Sequence, residues 1–311
     1  MQQEASQPGV SDAPLDCLIV GAGPAGLAAA IYLARFRRRF VVIDSGASRA
    51  RHIPLSRNYP GFAEGVAGAE LLRRMSQQAR SYGTSIISGT IDKVERRTDD
   101  AFYATSERQQ FFARTILLAT GVVDEEPLLP NLRSAVADGL VRYCAVCDGF
   151  EVTDRRVAVL GYGATGLAEA LFLRTYTPDV TLLTLRQPMS LTPEERGQVQ
   201  EAGINVIEAP VRELTIVDNA IGAVTLNDAA MHTFDALYSA LGSSPRSELA
   251  RQLGAIENEK NCIVVDQHQR TSVDGLYAAG DVVQGLDQIA VAIGHAAVAA
   301  CAIHTRLNKR D

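Results

Sequence analysis

The chain has 311 residues, 47% of them apolar and 21% charged, and carries a formal net charge of −6 at pH 7. That length can bury the cores of two domains, and the lack of any overall excess of Lys and Arg argues against nucleic acid as a partner. In chain order, residues 1–14 read as a flexible leader without the basic start, apolar core and small-residue cleavage site of a secretory signal. "LDCLIV" from Leu15 reads as a buried strand, "GAGPAGLAAAIYL" from Gly21 as a glycine turn opening a helix, and "FVVID", ending at Asp44, as a second strand. A loop containing Gly and Pro follows over 46–68, then a helix over about 69–82 and short alternating strands to about Ala113.

"TILLATG" closes at Gly121 as a buried strand with a small-residue turn, and "DEEPLLPNL" reads as a linker. After "YCAVCDGF", which starts at Tyr143, the earlier pattern begins again: "RVAVL" from Arg156, "GYGATGLAEALFL" from Gly161 and "VTLLT" ending at Thr184. Near the end, "GLYAAGDV" places Asp281 at the C-terminal end of a strand, before an Ala-rich helix over about 288–307. The nearly apolar run at 289–303 is interrupted by His295 and is too short to cross a bilayer, so no membrane partner and a cytoplasmic setting are expected.

The two glycine segments both fit G-x-G-x-x-G-L-A-x-A-x-x-L, each between a buried strand and a helix and each followed by another strand. One such pattern is weak evidence; two in this context point to an α/β chain of two dinucleotide-binding units. The first glycine makes the tight turn, the second lets a pyrophosphate approach the backbone, and the third lets helix and strand pack closely. Unpaired N–H groups and the positive dipole end at the helix start then face the phosphates. Asp44 stands near the roughly 20-residue spacing at which an acid accepts ribose hydroxyls.

Cys144 and Cys147 are two of five cysteines, set three positions apart with Asp148 directly behind. Such a pair can grip a metal, staple a loop or shuttle two electrons. Cys17, Cys262 and Cys301 stand alone, and His52, His232, His268, His295 and His304 show no ligand spacing, so no metal site is expected. A purely structural disulfide is unusual in a reducing compartment, which leaves redox chemistry as the leading reading.

The order G-A-G-P-A-G, A-T-G, C-A-V-C-D-G, second glycine loop and A-A-G-D-V closely resembles the low-molecular-weight thioredoxin reductases, over residues of about 15–307. The resemblance implies a homodimer of two Rossmann-like domains, the second inserted into the first: an FAD-binding domain at 15–122 and 251–311, and an NAD(P)-binding-like domain at 123–250 carrying the dithiol. It implies FAD along Gly21, Gly23, Pro24, Ala25 and Gly26, touching Asp44, Ser45, Asn58, Gly121, Gly280, Asp281, Val282, Gln288 and Ile289. It also implies that Cys147 faces the flavin, that Cys144 attacks the disulfide of a thioredoxin-like protein, and that Asp148 carries protons.

The departures from the family pattern lie on the electron-donor side. Where NADPH-dependent members carry His-Arg-Arg, this chain has Thr184, Leu185 and Arg186, with no second Arg before Leu191 to clamp a 2′-phosphate. The second loop, at Gly161, Tyr162, Gly163, Ala164, Thr165 and Gly166, has a Tyr where the family has Gly, and Asp287 stands where it has Arg. Three donors stay open: NADPH or NADH through Arg186, a docked ferredoxin, or a second FAD with Tyr162 near its ring. Two further activities fit the same residues, an oxygen-using dithiol oxidase and a flavin redox sensor or electron-transfer protein. Asp148 favours the reductase, since the oxidases commonly have His there.

Overall fold

The computed structural model describes residues 14–97, 101–107, 109–185, 189–218, 220–225 and 230–309, so residues 1–13 of the expected leader and Arg186 lie outside the described residues. The chain is α/β and divides into two compact units. The first takes in the residues up to Ser48, Leu72–Gly121 and those from Pro245 onward; the second takes in Arg49–Leu71 and Val122–Ser244.

The first unit is built on a seven-stranded sheet. Its centre is Leu15–Val20, whose last four residues are buried, as expected of a strand covered on both faces. On one side Leu15–Val20 pairs in parallel with Phe40–Asp44 (Cys17 opposite Phe40), and beyond that lies Ile86–Ser88. On the other side it pairs in parallel with Gln110–Leu118, with Cys17 opposite Thr115. That nine-residue strand changes partner along its length: its start runs antiparallel to Phe102–Thr105, and its end runs parallel to Leu276–Ala278. Leu18, Val20, Ile43, Ile116, Leu118 and Leu276 form the heart of the core.

Two helices of this unit pack on each other, Pro24–Arg35 and Ile289–Asn308. The second buries a face of small side chains, Ala292, Ala296, Ala299 and Ala300, which lets the two helix backbones approach closely. At its far end the Phe36 and His304 rings stack at 4.6 Å, and Arg38 Nε donates to His304 Nδ1 at 2.9 Å. The helix is 20 residues long, so length and composition would let it cross a bilayer, and the expectation of a run too short to do so is corrected. The apolar run ends at Ile303, but the helix that contains it, expected over about 288–307, reaches a spanning length as a whole. Its buried alanine face belongs to the core of the first unit.

The second unit holds another seven-stranded sheet, in the order Met231–Phe234, Ala220–Thr225, Asn205–Val217, Val180–Leu185, Val157–Leu160, Ala236–Ser239 and Val141–Arg142. The five strands from Asn205–Val217 onward in that order pair in parallel; Ala220–Thr225 and Met231–Phe234 extend the sheet antiparallel. Val157, Val159, Leu167, Leu173, Val180, Leu182 and Tyr238 fill the space between the sheet and the helix Gly163–Leu173. Pro193–Glu201 starts with a full capping box: Thr192 Oγ1 accepts from Glu195 N, and Glu195 Oε2 accepts from Thr192 N.

Candidate functional site

In the first unit the glycine loop is shaped by what a side chain would strike. Gly21 has φ +105°, and a Cβ there would lie 2.3 Å from the Ala119 carbonyl oxygen. A Cβ on Gly26 would lie 1.8 Å from the Gly21 carbonyl oxygen, so only a glycine lets helix and strand meet here. Gly23 is the extended N-cap, without a side-chain capping bond, and Pro24 opens the helix with a preset φ. The first-turn N–H groups around Ala25 are therefore available to an anion. Asp44 Oδ1 accepts from Ala22 N at 3.0 Å, so the acid at the strand end also braces the loop.

The Gly280 turn comes to the same place. Gly280 has φ +82°, and a Cβ there would lie 3.1 Å from Ala25 Cβ and 3.6 Å from Ala292 Cβ. Half-buried Asp281 is thereby set beside the starts of both long helices. Gln288 is the N-cap of the second of these helices, with no side-chain capping bond, and Ile289 is its first residue. Val282 is buried in the core, its carbonyl accepting from Ile263 N at 2.9 Å. Ser45 is exposed just beyond Asp44, and Gly121 turns at φ +69°. Asn58 lies in the second unit, in an exposed turn where its Oδ1 accepts from Ser56 Oγ at 3.2 Å. Two uncapped helix starts, a side-chain-free approach at Gly23 and carboxylates at Asp44 and Asp281 fit the phosphates and sugars of a dinucleotide such as FAD.

The second glycine loop shares the sequence pattern but not the backbone. Gly161 and Gly166 are pressed together, a Cβ on Gly161 falling 2.9 Å from Gly166 Cα. The cap has moved to Tyr162, which is extended and 40% exposed, and the positive φ has moved to Gly163, at +56°. Ala164 and Thr165 complete the first turn of the helix. Thr184, at the neighbouring strand end, is fully buried, and its Oγ1 has no hydrogen bond among the described residues.

Cys144 and Cys147 are bonded in a disulfide, their Cα atoms 5.3 Å apart. Cys144 caps the four-residue helix Ala145–Asp148, with its Sγ accepting from Cys147 N at 3.2 Å. Asp148 ends that helix. Tyr238 Oη donates to its Oδ1 at 2.8 Å, and Arg142 Nη1 lies 2.9 Å from its Oδ2. Burial pushes the Asp148 carboxyl above the usual range, against the pull of Arg142 and Tyr238, while Glu151 adds to the rise. Glu169, from the helix that follows the second glycine loop, accepts from Ala145 N at 2.8 Å. Burial raises its pKa too; the Ala145 N–H opposes this and the charge of Asp148 adds to it.

Sequence reasoning picked out the cysteines and Asp148 and missed Arg142, Tyr238 and Glu169. One signal was available: a Tyr in the fully buried strand "ALYS" needs a partner for its hydroxyl. Identifying that partner needs the fold, because Tyr238 and Asp148 are 90 positions apart.

Residues 15–296 match the pyridine nucleotide-disulphide oxidoreductase family. The chain is 31% identical to the thioredoxin reductase of Treponema pallidum, over 92% of this chain and 94% of that one. Among solved structures, the thioredoxin reductase from Streptococcus pyogenes superposes with a TM-score of 0.88 at 28% identity, covering 96% of this chain and all of that one. The atypical thioredoxin reductase TRi from Desulfovibrio vulgaris Hildenborough is 35% identical, with a TM-score of 0.53 and coverage of 94% and 98%.

Proposed function

This chain belongs to the pyridine nucleotide-disulphide oxidoreductase family, among its low-molecular-weight thioredoxin reductases, and is a flavin-dependent disulfide oxidoreductase; on that premise we propose that it relays two electrons from FAD through Cys144–Cys147 to a thioredoxin-like dithiol protein. The observation that carries the proposal is the Cys144–Cys147 disulfide at the start of a short helix that ends on a half-buried, hydrogen-bonded carboxyl group.

FAD, when bound, supplies the two-electron reductant for the disulfide. Residues 21–26 would hold its pyrophosphate and Asp44 and Asp281 its sugars, with Ser45, Gly121, Val282, Gln288 and Ile289 as further contacts in the same unit. In the dithiol state the Cys144 thiolate attacks the acceptor disulfide, forming a mixed disulfide and releasing one acceptor thiolate. Cys147 then attacks Cys144 Sγ, restoring the intramolecular disulfide and releasing the second acceptor thiolate. Two protons leave the enzyme thiols and two reach the acceptor. Asp148 takes a proton from one side and returns it to the other, ending unchanged. Val146, between the two cysteines, and Phe150, three residues beyond them, are 44% and 76% exposed and offer an apolar landing for the acceptor's own Cys loop.

The donor site is diverged. A lone Arg186 after Thr184 and Leu185 leaves no second guanidinium before Leu191 to complete a two-arginine clamp on a 2′-phosphate. Ferredoxin, or a second FAD at residues 161–166, are the other donors consistent with this sequence. The enzyme works as a cytoplasmic homodimer. Anaerobic addition of NADPH, NADH and reduced ferredoxin, each followed by flavin bleaching, tests the donor; prompt bleaching by micromolar NADPH would remove the diverged-site reading. Cys147→Ser is expected to abolish disulfide turnover while FAD stays bound, and retained turnover would refute the relay.

A further inference from the structure

We infer that Arg142 and Tyr238 are positioning residues that fix the Asp148 carboxyl group for proton transfer at the Cys144–Cys147 couple, an inference that rests on the relay proposed above. Each oxygen of Asp148 has one partner: Tyr238 Oη at 2.8 Å on Oδ1, and Arg142 Nη1 at 2.9 Å on Oδ2. Held at both oxygens, the carboxyl group cannot swing about its terminal bond, yet each oxygen keeps a lone pair for a thiol proton.

The clamp is part of the sheet. Val141–Arg142 and Ala236–Ser239 pair in parallel, and their register sets Arg142 opposite Tyr238, so both side chains rise from one face as a cross-strand pair. Neither is free to wander. Arg142 Nε donates to the Gly139 carbonyl at 3.0 Å, and Tyr238 is fully buried, with its hydroxyl also 3.1 Å from the Asp148 carbonyl. The short helix with the disulfide is thus tied to the sheet at its last residue, while Glu169 ties its first residue to the neighbouring helix.

The charges around Asp148 have opposite effects. Arg142 and Tyr238 favour the carboxylate, whereas burial and the Glu151 carboxylate disfavour it, and Glu169 stands close enough for its own titration to feel Asp148. Removing either member of the clamp therefore makes Asp148 hold its proton to higher pH. As the group that must accept a thiol proton, it then fails earlier as the solution is acidified.

The test uses the FAD-loaded full-length protein in a Cys301→Ser background, which removes the exposed thiol. The protein is reduced, freed of reductant and mixed anaerobically with dithiobis(nitrobenzoate) across the pH range. Tyr238→Phe and Arg142→Gln are expected to raise the ratio of the exchange rate at about pH 8 to that at about pH 6 by about tenfold, the effect of losing one hydrogen bond to a half-buried charge. Arg142→Lys, which keeps the charge, recovers part of that ratio. A Tyr238→Phe profile that overlays the parent overturns the inference, even if the Arg142 variants do not fold. Asp148→Asn separates the two claims. If it removes the acid limb while Tyr238→Phe leaves it in place, the clamp fails alone; if the limb survives in Asp148→Asn, the acid–base role of Asp148 fails with it.

Discussion

Gly26 and Glu169 show two different ways in which one side chain sets the behaviour of its surroundings. At Gly26 the obstacle is the Gly21 backbone, 1.8 Å from where a Cβ would sit, and a carbonyl cannot rotate aside as a side-chain tip would. Gly26→Ala is expected to cost about 2–3 kcal/mol in urea unfolding, the scale of an overpacked core, and to empty the protein of its yellow colour. Glu169 acts through its charge. Burial raises its pKa, so the folded state binds more protons than the unfolded state between the unfolded and folded pKa values, and stability falls as pH rises through that window. Glu169→Gln keeps an acceptor for Ala145 N without the charge. It should unfold at higher urea than the parent near neutral pH, and the gap should close in acid; a gap independent of pH would show that the carboxylate is not the cause. The glycines were legible in the sequence because their spacing is itself a local pattern, even where the atoms they make room for are distant in the chain, as Ala119 is from Gly21. Glu169, Arg142 and Tyr238 were not, because their partners are 24, 6 and 90 positions away across strands and turns that the chain has to fold to bring together.

The elements themselves were largely readable wherever an apolar run ended in a glycine turn. The strands Leu15–Val20, Phe40–Asp44, Val157–Leu160 and Val180–Leu185, and the helices after each glycine loop, all lie where hydrophobic periodicity places them. What the pattern hid was backbone conformation. The two loops share their glycine spacing, yet the first puts its positive φ on Gly21 and the second on Gly163. Gly163→Ala should therefore cost about 1–2 kcal/mol from left-handed strain and leave one flavin per chain in place, since it lies in the other unit from residues 21–26. A flavin-free Gly163→Ala protein would show that the loops do not act separately. The 13-residue strand Asn205–Val217 was concealed by Pro210, which breaks the alternation; the pairing with Val180–Leu185 slips there, from Ile207 to Val211. The last helix, expected over about 288–307, spans Ile289–Asn308. Its final turns are polar, held by Arg38 on His304 and by an Arg306–Asp274 ion pair that no apolar pattern announces.

For the whole molecule, the repeated glycine pattern made two units legible, whereas the grouping of Arg49–Leu71 with the second unit depends on tertiary contacts and leaves no local trace. The same distribution of burial divides the five cysteines into chemically distinct classes. Cys301 is exposed on the last helix, whereas Cys262 is half-buried and its thiol is raised, by burial first and then by Asp287. Cys17 lies inside the first sheet, and burial pushes its thiol up to about 12, so it offers neither access nor thiolate at neutral pH. Cys144 and Cys147 are silent while bonded to each other. Thiol counting on the folded oxidised protein should therefore give one fast group, from Cys301, with Cys262 reacting slowly and Cys17 not at all. After reduction and removal of the reductant, two fast groups should be added, from Cys144 and Cys147, and only denaturation should release Cys17 to complete the five. Cys301→Ser should erase the first fast group and leave the two that depend on reduction. If reduction added no fast thiols, the couple would be closed to any acceptor and the relay would have no exit; if Cys17 reacted in the folded state, the first sheet would be open in solution.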